Sequence, residues 1–181
     1  MSNEFIVDHL LQAEGWPAFT DHAADRGGPT KGGITLDTLR SYGRRPAATV
    51  GDLRNLPEAA AREIYERSYI IAPGFAMVFD DLLRWQIVDA GALSGQTRAS
   101  RWLQEAAGIT VDGKLGPHTA AAVNAADPHV IALRLCAARA RGLMRIVSAD
   151  RSQSVWAAGW MNRCMSFLDR EAARQQAAKG G

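Results

Sequence analysis

A chain of 181 residues that is 47% hydrophobic can bury a core without staples, and its length fits one ordinary domain or two small units. A net charge of +2 with scattered arginines and no aromatic-basic platform argues against a nucleic-acid partner, while suiting work near an anionic wall. No apolar stretch approaches the roughly 20 residues of a membrane helix, and Met1-Ser2-Asn3-Glu4 opens no export signal. Synthesis in the cytoplasm without stable membrane insertion is therefore expected.

In chain order, Ile6, Leu10 and Ala13, widened by Phe5 and Leu11, predict an amphipathic helix over 3–14 that ends at Glu14-Gly15. From Trp16 to Ile34 the composition turns to Pro, Gly, Asp and Thr, which predicts a loop or one short β-hairpin. Helical signals then resume. Thr35 is an N-cap candidate before Leu36 and Leu39, and Pro57 suits the first turn of a helix carrying Ala61, Ile64 and Tyr65. The segment Ala76–Ala92 is apolar nearly all round, which predicts a buried central helix. Further helices are expected over 97–107, up to about Ala125 after the Asp112-Gly113-Lys114 turn, and from Asp127-Pro128 onward. A last helix should place Trp156, Trp160, Cys164 and Phe167 on one side, with a frayed tail from Arg174. The expected fold is mainly α with one short β-hairpin near the N-terminus. Any division should fall at Pro73-Gly74, giving segments 1–73 and 74–181 packed as one compact body.

Cys136 and Cys164 match no metal or redox spacing and read as reduced structural residues. The four histidines have no zinc-motif spacing, and the glycines at 27, 28, 32 and 33 form no phosphate loop, so neither metal nor cofactor is called for.

The chemistry concentrates at the end of the first helix. Glu14 sits where the helix already carries partial negative charge, an environment that favours the protonated acid. The Gly-rich loop after it brings Asp21, Asp25 and Thr30. Glycoside hydrolysis needs an acid that donates to the leaving oxygen and a second polar group that positions water or stabilises the transition state. Glu14 with Asp25 or Asp21 could supply both, although loop aspartates also cap turns.

The stretch AEGWPAFTDHAADRGGPTKGGIT, Ala13 to Thr35, resembles the signature of glycoside hydrolase family 108, of the form E-G-G-Y followed by D-x-G-G-x-T-x-x-G-I-T. VDAGALSGQTRASRWLQEAAGITVDGKLGPHTAAAV, Val88 to Val123, is similar to the peptidoglycan-binding region that follows in the family. REIYERSYIIAPGF and the closing GWMNR extend the likeness over nearly the whole chain. The resemblance implies a lysozyme-like helical fold and a muramidase of the phage-endolysin kind acting on bacterial peptidoglycan, with monomer as the default. It makes Glu14 the catalytic acid and places Asp25 and Thr30 on the D and T that orient water. Trp16 and Pro17 replace the second Gly and the Tyr of E-G-G-Y; Trp16 either stacks on a sugar face or staples the loop to the core. Asp21 and Asp89 complete the substrate-contact candidates, and Leu93 stands where a polar residue is expected after Asp89. Without an export signal, such an enzyme would reach the periplasmic wall after holin-type release, dedicated secretion or lysis. A lytic transglycosylase, or a wall-binding protein without activity, would share most of these features.

Overall fold

The computed structural model describes residues 2–21, 28–42 and 44–179. Among these residues the architecture is the mainly α one expected, with nine α-helices and one small antiparallel sheet. No helix among them is long and apolar enough to cross a membrane. Backbone contacts divide the chain into Met1–Pro73 and Gly74–Gly181.

The first unit starts with α1 (Asn3–Ala13), capped by the Ser2 hydroxyl and burying Ile6, Val7, Leu10 and Leu11. The β region is larger than the single predicted hairpin. Strands β1 (Phe19–Thr20), β2 (Thr30–Lys31) and β3 (Ile34–Thr35) form an antiparallel sheet in that order. Lys31 pairs with Ile34, so Gly32-Gly33 is a two-residue turn with φ of 47° and 75°, the geometry that matches strand twist and suits glycine. Thr35 ends β3 and also caps α2 (Leu36–Ser41) through the Thr38 N–H, as its position predicted. Helix α3 (Val50–Arg54) follows with a Thr49/Asp52 capping box, then α4 (Glu58–Tyr65), with Pro57 at the N-cap position rather than inside the first turn. Helix α4 runs directly into a π-helical turn, Glu66–Ile71. It is tied to α1 by Asn3–Glu66 (2.9 Å) and by Arg62 to Asp8.

The second unit packs α5 (Asp81–Ser94), α6 (Gln96–Ala107), α7 (Pro117–Ala125), α8 (Pro128–Ala149) and α9 (Ser154–Lys179) around Leu83, Ile87, Leu103, Leu135 and Phe167. The buried central helix begins at Asp81 rather than Ala76. Asp80 accepts from the Leu83 N–H as N-cap, and Phe75–Met77 form a separate 3-10 turn before it. Gly142 lets α8 approach α6, because a Cβ there would lie 2.3 Å from Nε1 of Trp102. Gln104 fixes the Asp112-Gly113-Lys114 turn: its amide donates to Asp112 (2.7 Å) and to the Lys114 carbonyl (3.0 Å), and its oxygen accepts from Gly113 N–H (2.8 Å).

On α9, Cys164 and Phe167 are buried as predicted, whereas Trp156 is 61% exposed. Where a frayed tail was expected from Arg174, α9 continues to Lys179 and its Arg174 is held. Arg174 reaches Asp80 (2.6 Å) and Glu171 (2.5 Å), and Glu171 also meets Nδ1 of His129 (2.8 Å). Burial opposes ionisation of Glu171, but His129, Arg174 and Gln175 outweigh it and hold the carboxyl below its ordinary value of 4.5. Its contribution to stability is present above that value and is lost as pH falls through the lower folded one. Glu171→Gln should therefore cost about 1–3 kcal/mol at neutral pH. In paired thermal melts the gap between the two proteins should close in acid.

Candidate active site

The site is built where α1 ends. Glu14 is its C-cap, and the chain turns by a Schellman motif: Gly15 N–H donates to the Gln12 carbonyl (3.2 Å) and Trp16 N–H to the Leu11 carbonyl (2.9 Å). Gly15 sits at φ 72°, a left-handed geometry that explains why Gly follows the acid. The cap fixes where the Glu14 backbone points, and the side chain is exposed. Among the described residues Glu14 has no cationic partner.

The β2–β3 turn forms the floor. A Cβ on Gly33 would lie 2.7 Å from Oε2 of Glu14, 3.1 Å from its Cβ and 2.8 Å from the Tyr65 hydroxyl. The acid and the phenol thus converge on one bare α-carbon. Tyr65 donates to the Gly32 carbonyl, locking that turn to α4. Tyr69, one turn further along, stacks on Tyr65 with ring centroids 5.3 Å apart. Burial raises both phenols above the ordinary tyrosine value, and the nearby charge of Glu14 raises them further. Both rings therefore stay neutral donors across the pH range in which a carboxylic acid works. Sequence reading treated Tyr65 as a core residue on an apolar stripe. The missed signal is the repeat of Tyr at 65 and 69 inside the REIYERSYIIAPGF stretch.

Trp16 is half-buried. Lys31 Nζ lies 4.9 Å from its ring centroid, and a Cβ on Gly32 would meet its Cε3 at 2.8 Å. The indole therefore braces the hairpin beside Glu14. Lys31 itself donates to the carbonyls of Arg54 and Leu56 (2.8 Å each), fastening the sheet to the end of α3. Thr30 lies on β2, its hydroxyl donating to the Gly28 carbonyl (3.0 Å), and so shares the hairpin that carries Gly33. Asp21 is exposed just after β1. Asp25 falls within 22–27, outside the described residues.

Asp89 belongs to the second unit and Glu14 to the first. It is buried, with one oxygen 2.6 Å from Arg163 Nε and the other 2.7 Å from Arg139 Nη2. The closing GWMNR thus supplies, through Arg163, a partner 74 residues away. In the same unit a shallow groove of about 340 Å³ between α6 and α8 is lined by Arg98, Arg101, Trp102, Glu105 and Arg145.

Two family models match in succession: Glycosyl hydrolase 108 over residues 7–95, and Predicted Peptidoglycan domain over residues 98–165. The segment 7–95 belongs to the glycosyl hydrolase 108 family. The hydrolase match contains the whole Glu14 site and continues through α5, and the peptidoglycan-domain match contains the arginine groove. This glycosyl hydrolase 108 protein is similar to SagA of Brucella abortus, with 28% identity over 94% of each chain and a TM-score of 0.71. No curated protein matches its sequence. It is thus a glycoside hydrolase of a peptidoglycan-acting family, with a peptidoglycan domain after its hydrolase segment.

Proposed function

We propose that the protein is an N-acetylmuramidase that hydrolyses the β-1,4 bond between N-acetylmuramic acid and N-acetylglucosamine. Glu14 is the proton donor to the leaving oxygen, and Asp25, helped by Thr30, manages the attacking water. The observation that carries this reading is the placement of Glu14: an exposed carboxyl, fixed by a helix cap, braced on Gly33 and bordered by two neutral phenols. A carboxylic acid in such a place gives its proton to the glycosidic oxygen as the leaving group departs and becomes the carboxylate. Trp16 offers an aromatic edge beside the acid for a sugar ring, and exposed Asp21 is a second contact. Asp89, enclosed by two arginines, serves the wall-facing unit by holding α5 against α8 and α9. Release of muramic reducing ends from purified sacculi tests the reading. Release by the wild type and none by Glu14→Gln supports it; equal release by both rejects it.

The groove of the second unit is the wall-contact surface in this account. Its three arginines outnumber Glu105, and among the described residues neither Arg101 nor Arg145 is held in an ion pair. The stem peptides of peptidoglycan carry free carboxylates that such guanidinium groups bind well. The double variant Arg101→Glu/Arg145→Glu should bind sacculi roughly tenfold more weakly at low salt, since each surface charge contributes up to about 1 kcal/mol. Wild type and variant should converge in a pull-down at high ionic strength. A glycosidase segment joined to a wall-binding segment suits a monomeric phage or prophage endolysin that reaches the periplasmic wall by pore or secretion.

A further inference from the structure

Cys136 on α8 and Cys164 on α9 are both free thiols, and both are buried. They face each other across the packed helices. The Cys136 sulfur lies 3.6 Å from the Cys164 carbonyl oxygen, and the Cys164 sulfur lies 3.4 Å from the Cys136 carbonyl oxygen. Reciprocal contacts of this kind put each sulfur against the other residue's backbone, so the two cysteines are neighbours across α8 and α9.

The surroundings favour one thiolate. Gln86 Nε2 is 2.8 Å from the Cys136 sulfur. Arg139, one turn after Cys136, is fully buried; among the described residues none of its guanidinium nitrogens makes a hydrogen bond, and Nη2 forms an ion pair with Asp89, which Arg163 shares. Among the described residues Asp89 is shared by two guanidinium groups, of which that of Arg139 is buried and that of Arg163 reaches solvent. The hydrogen bond from Cys136, with the charge of Arg139, brings the Cys164 thiol down to about 7, while the same hydrogen bond and burial push Cys136 up. A nucleophilic sulfur thus sits beside a protonated partner, the arrangement from which thiol–disulfide exchange starts.

We propose that Cys136 and Cys164 form a disulfide that staples α8 to α9 once the chain folds in, or reaches, an oxidising compartment. The oxidant is a small-molecule or protein disulfide. The Cys164 thiolate attacks one of its sulfurs and expels a thiolate; Cys136 then loses its proton and attacks the Cys164 sulfur of the mixed disulfide, expelling the second thiolate. The two cysteine thiols are oxidised and the disulfide oxidant is reduced to two thiols. Because both sulfurs are buried, the exchange runs during folding or on transient opening of α9. The bond closes a loop with a sequence separation of 28 residues, so it removes denatured-state freedom from the unit that carries the arginine groove. Its benefit to the cell rests on the wall-acting reading above; the bond itself does not.

The test is to refold the full chain from denaturant in a buffer of oxidised and reduced glutathione. Intact mass and thiol titration in denaturant are then compared with those of protein kept in dithiothreitol. The expected result is loss of both thiols, a mass lower by two hydrogens with no glutathione adduct, and a Tm higher by about 5–10 °C that dithiothreitol reverses. Cys136→Ser and Cys164→Ser should each keep one thiol, or carry one glutathione, and show no such rise. Two free thiols after oxidative refolding, separate glutathione adducts on both cysteines, or linked dimers would overturn the proposal. The wild-type mass result stands even where a serine variant fails to fold. Release of reducing ends is measured independently, so failure of the staple and failure of the muramidase reading are distinguishable.

Discussion

Glu14→Gln should lower muramidase activity by about 10²–10⁴-fold without lowering stability. The amide keeps the shape of the side chain and its place over Gly33 but has no proton to give to a departing sugar oxygen. The side chain is exposed and has no cationic partner among the described residues, so its charge supports no contact with any of them that the substitution would break. It also sits at the negative end of α1, where removing a charge is favourable by about 0.3–1 kcal/mol. An inactive variant with an unchanged or slightly raised Tm is therefore expected. Loss of activity together with a lowered Tm would instead point to a structural role for Glu14.

Gly33→Ala should reduce activity by about 100-fold and also destabilise the protein. At φ 75° an L-residue pays about 1–2 kcal/mol for its backbone alone. The added Cβ would fall 2.7 Å from the Glu14 carboxylate and 2.8 Å from the Tyr65 hydroxyl, so one or both must move. A displacement near 1 Å at a catalytic acid is enough for a loss of about 100-fold. Gly108→Ala is the control. Gly108 has φ 68°, but nothing lies within 4 Å of its added Cβ, so the backbone cost appears without any push on the acid. Thermal melts of the two variants should show comparable losses, while rates of reducing-end release should separate them.

The contrast between Gly33 and Tyr65 shows what the sequence could and could not reveal. Glycine at 32 and 33 is readable as a turn, because a two-residue hairpin demands positive φ at its first position and, in the form seen here, at both. That Gly33 also serves as the floor under Glu14 depends on a contact across the fold, which no local pattern encodes. Glu14 was legible because a helix stripe stops there and a Gly follows. Tyr65 was not, since a tyrosine beside Ala61 and Ile64 has the same periodicity whether its hydroxyl meets solvent, core or a catalytic acid. The third strand escaped because two residues are too few to display alternation, and Thr35 was already accounted for as a helix cap. The start of the central helix was misplaced because Ala76–Phe79 is apolar like the helix that follows; Asp80, the N-cap, was the better marker. Asp89, Arg139 and Arg163 form one cluster from three separate helices, as Cys136 and Cys164 do from two, and such pairings become visible only when the helices are packed.

The most direct test of the central claim is mass spectrometry of the fragments that the wild-type protein releases from purified peptidoglycan in water enriched in heavy oxygen. Hydrolysis adds the elements of one water at each cut, so fragments ending in reducing N-acetylmuramic acid should carry the label, and Glu14→Gln should release none above background. Fragments ending in unlabelled anhydro-muramic acid would contradict the hydrolytic step and assign Glu14 to a transglycosylase instead. Absence of any release, with binding to the wall intact, would contradict catalysis altogether.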